Sequence, residues 1–341
     1  MIIFTHKEEG LFMSRKIEYK SVLSFYIERF VALKEAVGYN TRGIKYKMLE
    51  IDNFYVENDI KMPVITREII DKWRSTRIND SIGTLHGKYS TWAQLARFMS
   101  RNGCECYIPQ LPRYTRSMRD GYAPYIFTHE QMKNIFACSE RLNLRNNDVR
   151  NTLFCVPAVI RLLYSTGIRI SEALSIRNED INLKDKYIHI RKSKNGCERL
   201  VPINNELRSV MEQYRHYRDK IPLKNINKPD KLFFIKPDGT ACQQQAIYKW
   251  FRKILRKCDI PYTGNNQGPR LHDLRHTMAV HALEQMVRNG MDLYASMPII
   301  SACLGHKSLS ATGQYVRLTH EMFPELAEQC SLLTSFVYPN I

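Results

Sequence analysis

His272-Asp273-Leu274-Arg275 is the stretch on which this chain's reading turns. Leu304-Gly305-His306 follows it, and Tyr315 stands nine residues beyond His306. Upstream lies Thr166-Gly167-Ile168-Arg169-Ile170-Ser171-Glu172. Arginine presents a rigid fork of donors matched to phosphate oxygens. Helix positions i and i+3 share a face, so His272 and Arg275 can reach one phosphate. The same geometry is read as turning His276 elsewhere, as a supporting residue. Two guanidiniums, two imidazoles and an exposed-looking tyrosine in this order point to chemistry on a phosphodiester. A single tyrosine among 19 carries little; the spacing carries the argument.

Gly167 allows a tight turn into a helix starting near Ile170, where free backbone N–H groups also favour an anion. Glu172 reads as a structural partner there, not an acid catalyst. Tyr187–Ile190 and Leu200–Ile203 read as strands around a turn at Ser193-Lys194-Asn195-Gly196, with Leu232–Ile235 as a third strand. Lys194 sits at the hairpin tip and Lys192 competes with it. A protonated lysine there can donate to a leaving oxygen. A phenol of pKa about 10 is a poor nucleophile unless helped. Two arginines can stabilise the added charge of a pentacoordinate phosphorus, and a histidine can take the phenolic proton. Gly313, two residues before Tyr315, predicts a loosened helix there.

The flanking sequence organises this site. Residues 1–17 read as a leader, with Met13 as a second candidate start. Helical periodicity covers about 20–37 (Val22, Phe25, Tyr26, Phe30, Leu33), 41–58, a stretch capped by Thr66, and 82–101. Their aromatic residues read as core. This defines a helical domain over 18–104. Pro109, Pro112, Gly121 and Pro124 then interrupt periodicity, and Arg113, Arg116 and Arg119 recur, so 105–126 reads as a basic linker able to track a phosphate backbone. A second domain, 127–335, starts at a helix capped by Thr128.

Length and charge agree. A chain of 341 residues can build two cores. Its net charge of +17 points to a polyanion, most simply nucleic acid. Both parts are basic: 20 basic against 14 acidic side chains up to residue 125, and 31 against 20 beyond. The nine cysteines show no metal-ligand spacing and read as reduced cytosolic thiols. The start is too short for a secretory signal and no apolar run reaches 18 residues, so neither secretion nor a membrane partner is expected. Without a P-loop, an HExxH or a carboxylate cluster, neither cofactor nor metal is expected.

The order Arg, His-x-x-Arg, His, Tyr resembles the tyrosine recombinase, or phage-type integrase, family of DNA strand-exchange enzymes, with an Xer-like layout. The resemblance spans roughly 20–335 and is most specific at 166–172, 192–203, 272–281 and 303–315. It implies a mainly α fold with a small antiparallel sheet: a helical, SAM-like core-binding domain and a mixed α/β catalytic domain, closing as a C-shaped clamp on double-stranded DNA. By similarity, Tyr315 forms a 3′-phosphotyrosyl link and Arg169 and Arg275 hold the non-bridging oxygens. Lys194 serves as acid to the 5′ oxygen, His272 as base and acid for the tyrosine, and His306 as a donor to the phosphate. Arg113, Arg116, Arg119 and Lys192 are candidate DNA contacts. Four protomers would act on two sites through a Holliday junction, with about 321–336 docking on a neighbour. A cytoplasmic, nucleoid-associated recombinase is implied. Asn289–Pro298 is longer than in compact Xer enzymes and resembles mobile-element integrases and transposases. A type IB topoisomerase-like enzyme and a catalytically silent DNA-binding accessory protein are the alternatives.

Overall fold

The computed structural model describes residues 17–39, 41–113, 124–143, 148–191, 198–262, 268–306 and 308–326. The chain divides into two compact units, Met1–Tyr122 and Ala123–Ile341. It is mainly helical, with one three-stranded antiparallel sheet among the described residues.

Four helices make the first unit: α1 Ser24–Ala36, α2 Arg42–Glu57, α3 Arg67–Ser75 and α4 Ile82–Arg101. Thr66 caps α3, its side chain accepting from the Ile69 N–H, and Ser81 caps α4 through Thr84. Phe30, Phe54, Tyr55, Trp73 and Trp92 are core, whereas Phe25, Tyr39 and Tyr46 are exposed. Trp73 and Trp92 meet edge-on at 5.6 Å, beside buried Phe54 and Tyr55. Asp52 is buried on α2 and accepts from the Ser21 backbone and hydroxyl, which ties the entry of α1 to α2. The buried stripe of α1 differs from the expected one. It runs through Leu23, Ile27, Phe30 and Val31, whereas Phe25 and Leu33 are 54% and 53% exposed. Periodicity fixes the spacing of a face but leaves its rotation ambiguous when apolar residues lie on both sides. Phe25 carries the Arg29 guanidinium 4.2 Å over its ring instead.

In the second unit, Thr128 and Gln131 form a reciprocal capping box at the start of α5, His129–Glu140. The apolar run Val156–Thr166 is α6, which packs against α5, against α8 (Asn205–Arg218) and against α10 (Asp273–Arg288). α6 ends at Gly167, in the left-handed region at φ 63°. A side chain there would collide with Met278 Cε and come within 2.8 Å of Leu304 Cδ2. Conformation and close approach both require glycine. The short α7, Ile170–Ala173, follows at once.

The sheet runs β1 Ile181–Asn182, β2 Tyr187–Ile190, β3 Arg199–Pro202, with Ile188 facing Val201. Leu232–Ile235 is not its third strand. That stretch makes only isolated bridges, Arg177 to Leu232 and Ile235 to Ala241. Phe233 and Phe234 enter the core, and the Tyr214 hydroxyl accepts from the Ile235 N–H. A short apolar run reports burial, which periodicity cannot separate from strand pairing. The actual third strand, two residues long, is too short to leave a pattern.

The remaining helices are α9 Gln244–Lys257, α11 Leu293–Leu304 and α12 Gly313–Met322. Asp292, within the long 289–298 stretch, caps α11 through the Ala295 N–H. No helix of the described residues is long and apolar enough to cross a membrane. Of the expected docking segment, 321–326 is described, with Leu326 buried in the α10–α12 core and Met322 and Phe323 packed against it, and 327–336 lies outside the described residues. The same holds for Arg116, Arg119, Lys192, Lys194 and the expected turn at 193–196; Arg113 is exposed.

Candidate active site

Two chain turns converge on Arg275. Its Nη1 donates to the Gly167 carbonyl at 2.6 Å and its Nη2 to the Leu304 carbonyl at 2.7 Å. Those are the ends of α6 and α11, each closed by a left-handed glycine, Gly167 and Gly305. Arg275 is 3% exposed. Burial, then the neighbouring Arg169 charge, pulls its pKa down to about 10. The two carbonyls orient the guanidinium without cancelling its charge. A buried cation held this way favours an anion beside it.

Arg169 leads into α7 and reaches the same region. Its Nη1 pairs with Glu172 Oε1 at 2.8 Å, and its backbone N–H donates to the other oxygen at 3.0 Å. Arg199 of β3 also pairs with Glu172, Nη2 to Oε2 at 2.9 Å, and its Nε donates to the Cys303 carbonyl. Burial would raise the Glu172 carboxyl; the hydrogen bonds and charges of Arg199 and Arg169 outweigh it and hold it below its ordinary value. Glu172 is therefore an ionised, structural partner. Two guanidiniums share this one carboxylate and Arg275 is held by carbonyls, which leaves surplus positive charge.

Arg199 was missed in the sequence, although strand alternation could have found it. Val201 points inward, so Arg199, two residues earlier, points the same way. Its guanidinium lies against Gly305, where a Cβ would come within 3.0 Å.

Tyr315 is not exposed. It is 1% accessible, because α12 packs on α10 and α11 and buries Tyr315, Val316 and Leu318. Gly313 does not loosen the helix beneath it; it is the first residue of α12, where interior helix propensity does not apply. The His306 ring lies parallel to the Tyr315 ring, 8° between planes and 6.2 Å between centroids. Its Nδ1 stands 2.9 Å from the Thr312 hydroxyl. Burial, then Arg275, Arg169 and Arg199, pushes the His306 pKa down to about 4.

His276 does not point elsewhere. Its Nδ1 lies 3.1 Å from the Tyr315 hydroxyl. It is four residues after His272, so the two share a side of α10 as well as His272 and Arg275 do. That i, i+4 relation was the available signal. Exposed His272 occupies the residue just before α10, its ring edge-on to His276 at 5.1 Å. Burial lifts the Tyr315 pKa above its ordinary value, and the charges of Arg275 and Arg169 oppose that rise.

The structure thus brings Arg169, Arg275, His272, His306 and Tyr315 together, and adds His276 and Arg199. A nucleophilic oxygen beside a neutral imidazole and clustered guanidiniums can attack an anionic phosphorus centre.

The sequence profile of the phage integrase family matches residues 126–322. A putative integrase/recombinase of Sinorhizobium fredii is 23% identical over 304 residues, covering 88% of this chain and 94% of that protein. The tyrosine recombinase XerC of Staphylococcus saprophyticus is 26% identical over 249 residues, 73% of each chain. Among solved structures, the XerH recombinase in a pre-cleavage complex with its difH substrate superposes with a TM-score of 0.62 at 16% identity, covering 85% of this chain and 91% of that one. A lambda integrase dimer bound to a core site gives 0.58 at 16% identity, covering 86% and 94%.

Proposed function

This chain belongs to the phage integrase family, the tyrosine recombinases that cut and rejoin DNA at specific sites, and from that premise we propose that it does so by transesterification through Tyr315. The carrying observation is the set of contacts of Arg275, which tie the Arg169 turn, the His306 turn and the Tyr315 helix into one site. Arg169 and Arg275 hold the non-bridging oxygens of the scissile phosphate and stabilise its added charge. Tyr315 attacks phosphorus, forms a 3′-phosphotyrosyl bond and releases the 5′ oxygen, which Lys194 protonates. His306 donates to the phosphate, and a histidine at the start of α10 takes the tyrosine's proton, the role that the resemblance gives to His272. The covalent link conserves the bond energy, so rejoining needs neither ATP nor metal.

The partner is double-stranded DNA, gripped by four protomers on two sites, with Arg113, Arg116, Arg119 and Lys192 among the backbone contacts. The basic charge and the DNA-bound state of the similar XerH and lambda integrase structures support this. The test is a nicked duplex carrying the flanks of the protein's own gene, so that cleavage traps the adduct. Wild type should yield a covalent protein–DNA band and Tyr315→Phe none. Binding without an adduct for wild type, or an adduct that survives Tyr315→Phe, refutes the reading.

A further inference from the structure

Resting on the assignment of Tyr315 as nucleophile, we propose that His276 is the base that accepts the Tyr315 proton, its Nδ1 standing 3.1 Å from the phenolic oxygen. The family resemblance gives proton handling to His272, but this direct contact falls on the next turn of α10. His306 lies parallel to the tyrosine and presents its Nδ1 to Thr312, not to the phenol.

The surroundings set the ring's protonation state. His276 faces His272 and Arg270 from the chain entering α10, Arg275 from its own helix, His306 from the end of α11 and Tyr315 from α12. Burial first, then the charges of His272, Arg275, Arg270 and His306, push its pKa down to about 3. The ring is therefore neutral at working pH, and in its Nε2–H tautomer Nδ1 accepts from the phenol. So weak a base leaves the proton on the tyrosine at rest. A DNA phosphate between Arg169 and Arg275 supplies a negative charge that offsets the cationic repulsion on the ring. The base strengthens when its substrate arrives, and the buried phenol stays protonated until then.

The step balances. The Tyr315 O–H bond breaks as an N–H bond forms on His276 Nδ1. The phenolic oxygen forms a bond to phosphorus, and the bond from phosphorus to the 5′ oxygen breaks. That oxygen takes its proton from the leaving-group acid, Lys194. Rejoining runs the same transfers backwards, so His276 returns the proton to Tyr315.

The experiment measures single-turnover adduct formation on the nicked duplex, and on the same duplex with sulfur replacing the bridging 5′ oxygen. A thiolate leaves without a proton, so sulfur rescues a defect in the leaving-group acid but not one at the nucleophile. His276→Ala should slow cleavage about 10²–10⁴-fold at neutral pH. Sulfur should not rescue it, and the deficit should shrink as pH approaches the phenol's own ionisation. His276→Asn keeps a hydrogen-bond acceptor but no base. It should retain the fold and show the same deficit, which covers the case in which His276→Ala fails to fold. In wild type, ¹⁵N-histidine NMR should show His276 protonated on Nε2 and unprotonated on Nδ1. Cleavage by either variant within about threefold of wild type, a pH-independent deficit rescued by sulfur, or an Nδ1–H tautomer overturns the proposal. Tyr315→Phe in parallel separates the failures: an adduct there defeats the nucleophile assignment, whereas no adduct there with wild-type rates for the His276 variants defeats only the base.

Discussion

Helix α10 carries the same pair twice. On one face Tyr315 meets His276 Nδ1 at 3.1 Å; on another Tyr164 meets His281 Nδ1 at 2.8 Å. The surroundings have opposite sign. Arg275 and Arg169 stand by Tyr315 and oppose the rise that burial imposes on its pKa. Glu284 stands by Tyr164 and adds to the effect of burial, lifting that phenol to about 12. Glu284 also takes His129 at 2.7 Å and Arg288 at 2.9 Å, so the charges there close among themselves. In the Tyr315 face, Arg275 is held by neutral carbonyls and keeps its charge for a ligand. A tyrosine–histidine contact is therefore structural or reactive according to the charge around it.

The largest expected effect breaks this symmetry outright. Tyr315→Phe should abolish the covalent adduct, while Tyr164→Phe should leave cleavage within about threefold of wild type, since aromatic shape is retained. An equal loss in both, measured by gel under single-turnover conditions, would remove the distinction.

Next comes the charge itself. Arg275→Lys retains a cation but cannot span two carbonyls and a phosphate, and should cost roughly 10²–10³-fold in cleavage. Glu284→Gln, on the other face, should change cleavage less than about threefold. Parallel rates would show that the sign of the field does not matter.

Gly167→Ala sharpens the comparison through the backbone. The residue needs φ 63° and would collide with Met278 and Leu304, displacing a carbonyl that orients Arg275. A loss of about 2–4 kcal/mol in urea unfolding is expected, with cleavage falling too. A wild-type midpoint would show that this turn is tolerant.

Acid should weaken both faces. The pKa values of His276, at about 3, and of His281 and His306, at about 4, lie below the ordinary histidine range, chiefly through burial. The unfolded chain therefore takes up protons first as pH falls. The stability from these neutral rings is complete above about pH 6.5 and is lost as pH drops towards 4. At pH 5 this is up to about 2 kcal/mol for His276 and less for the rings nearer solvent. A melting temperature unchanged from pH 7 to 5 would contradict it. The smallest effect is the stability cost of Tyr164→Phe, about 1 kcal/mol for one hydrogen bond.

Much of this was legible because it is local. Caps at Thr66 and Thr128, the glycine ends of α6 and α11, and the mainly helical fold follow from short-range patterns. The rotation of α1, and the difference between a buried run and a paired strand at Leu232–Ile235, depend on neighbours distant in sequence. The same division runs through the site. The chain alone determined which residues could serve a phosphate, because Arg169, His272, Arg275, His306 and Tyr315 lie in motifs whose spacing has chemical meaning. Only the tertiary structure decided that Arg199 shares Glu172 and that His276 stands against the Tyr315 hydroxyl. Both contacts join separate elements, β3 to α7 and α10 to α12. Spacing within an element gives the side on which Arg199 or His276 lies, but the partner it meets is set by how packed elements bury their shared faces.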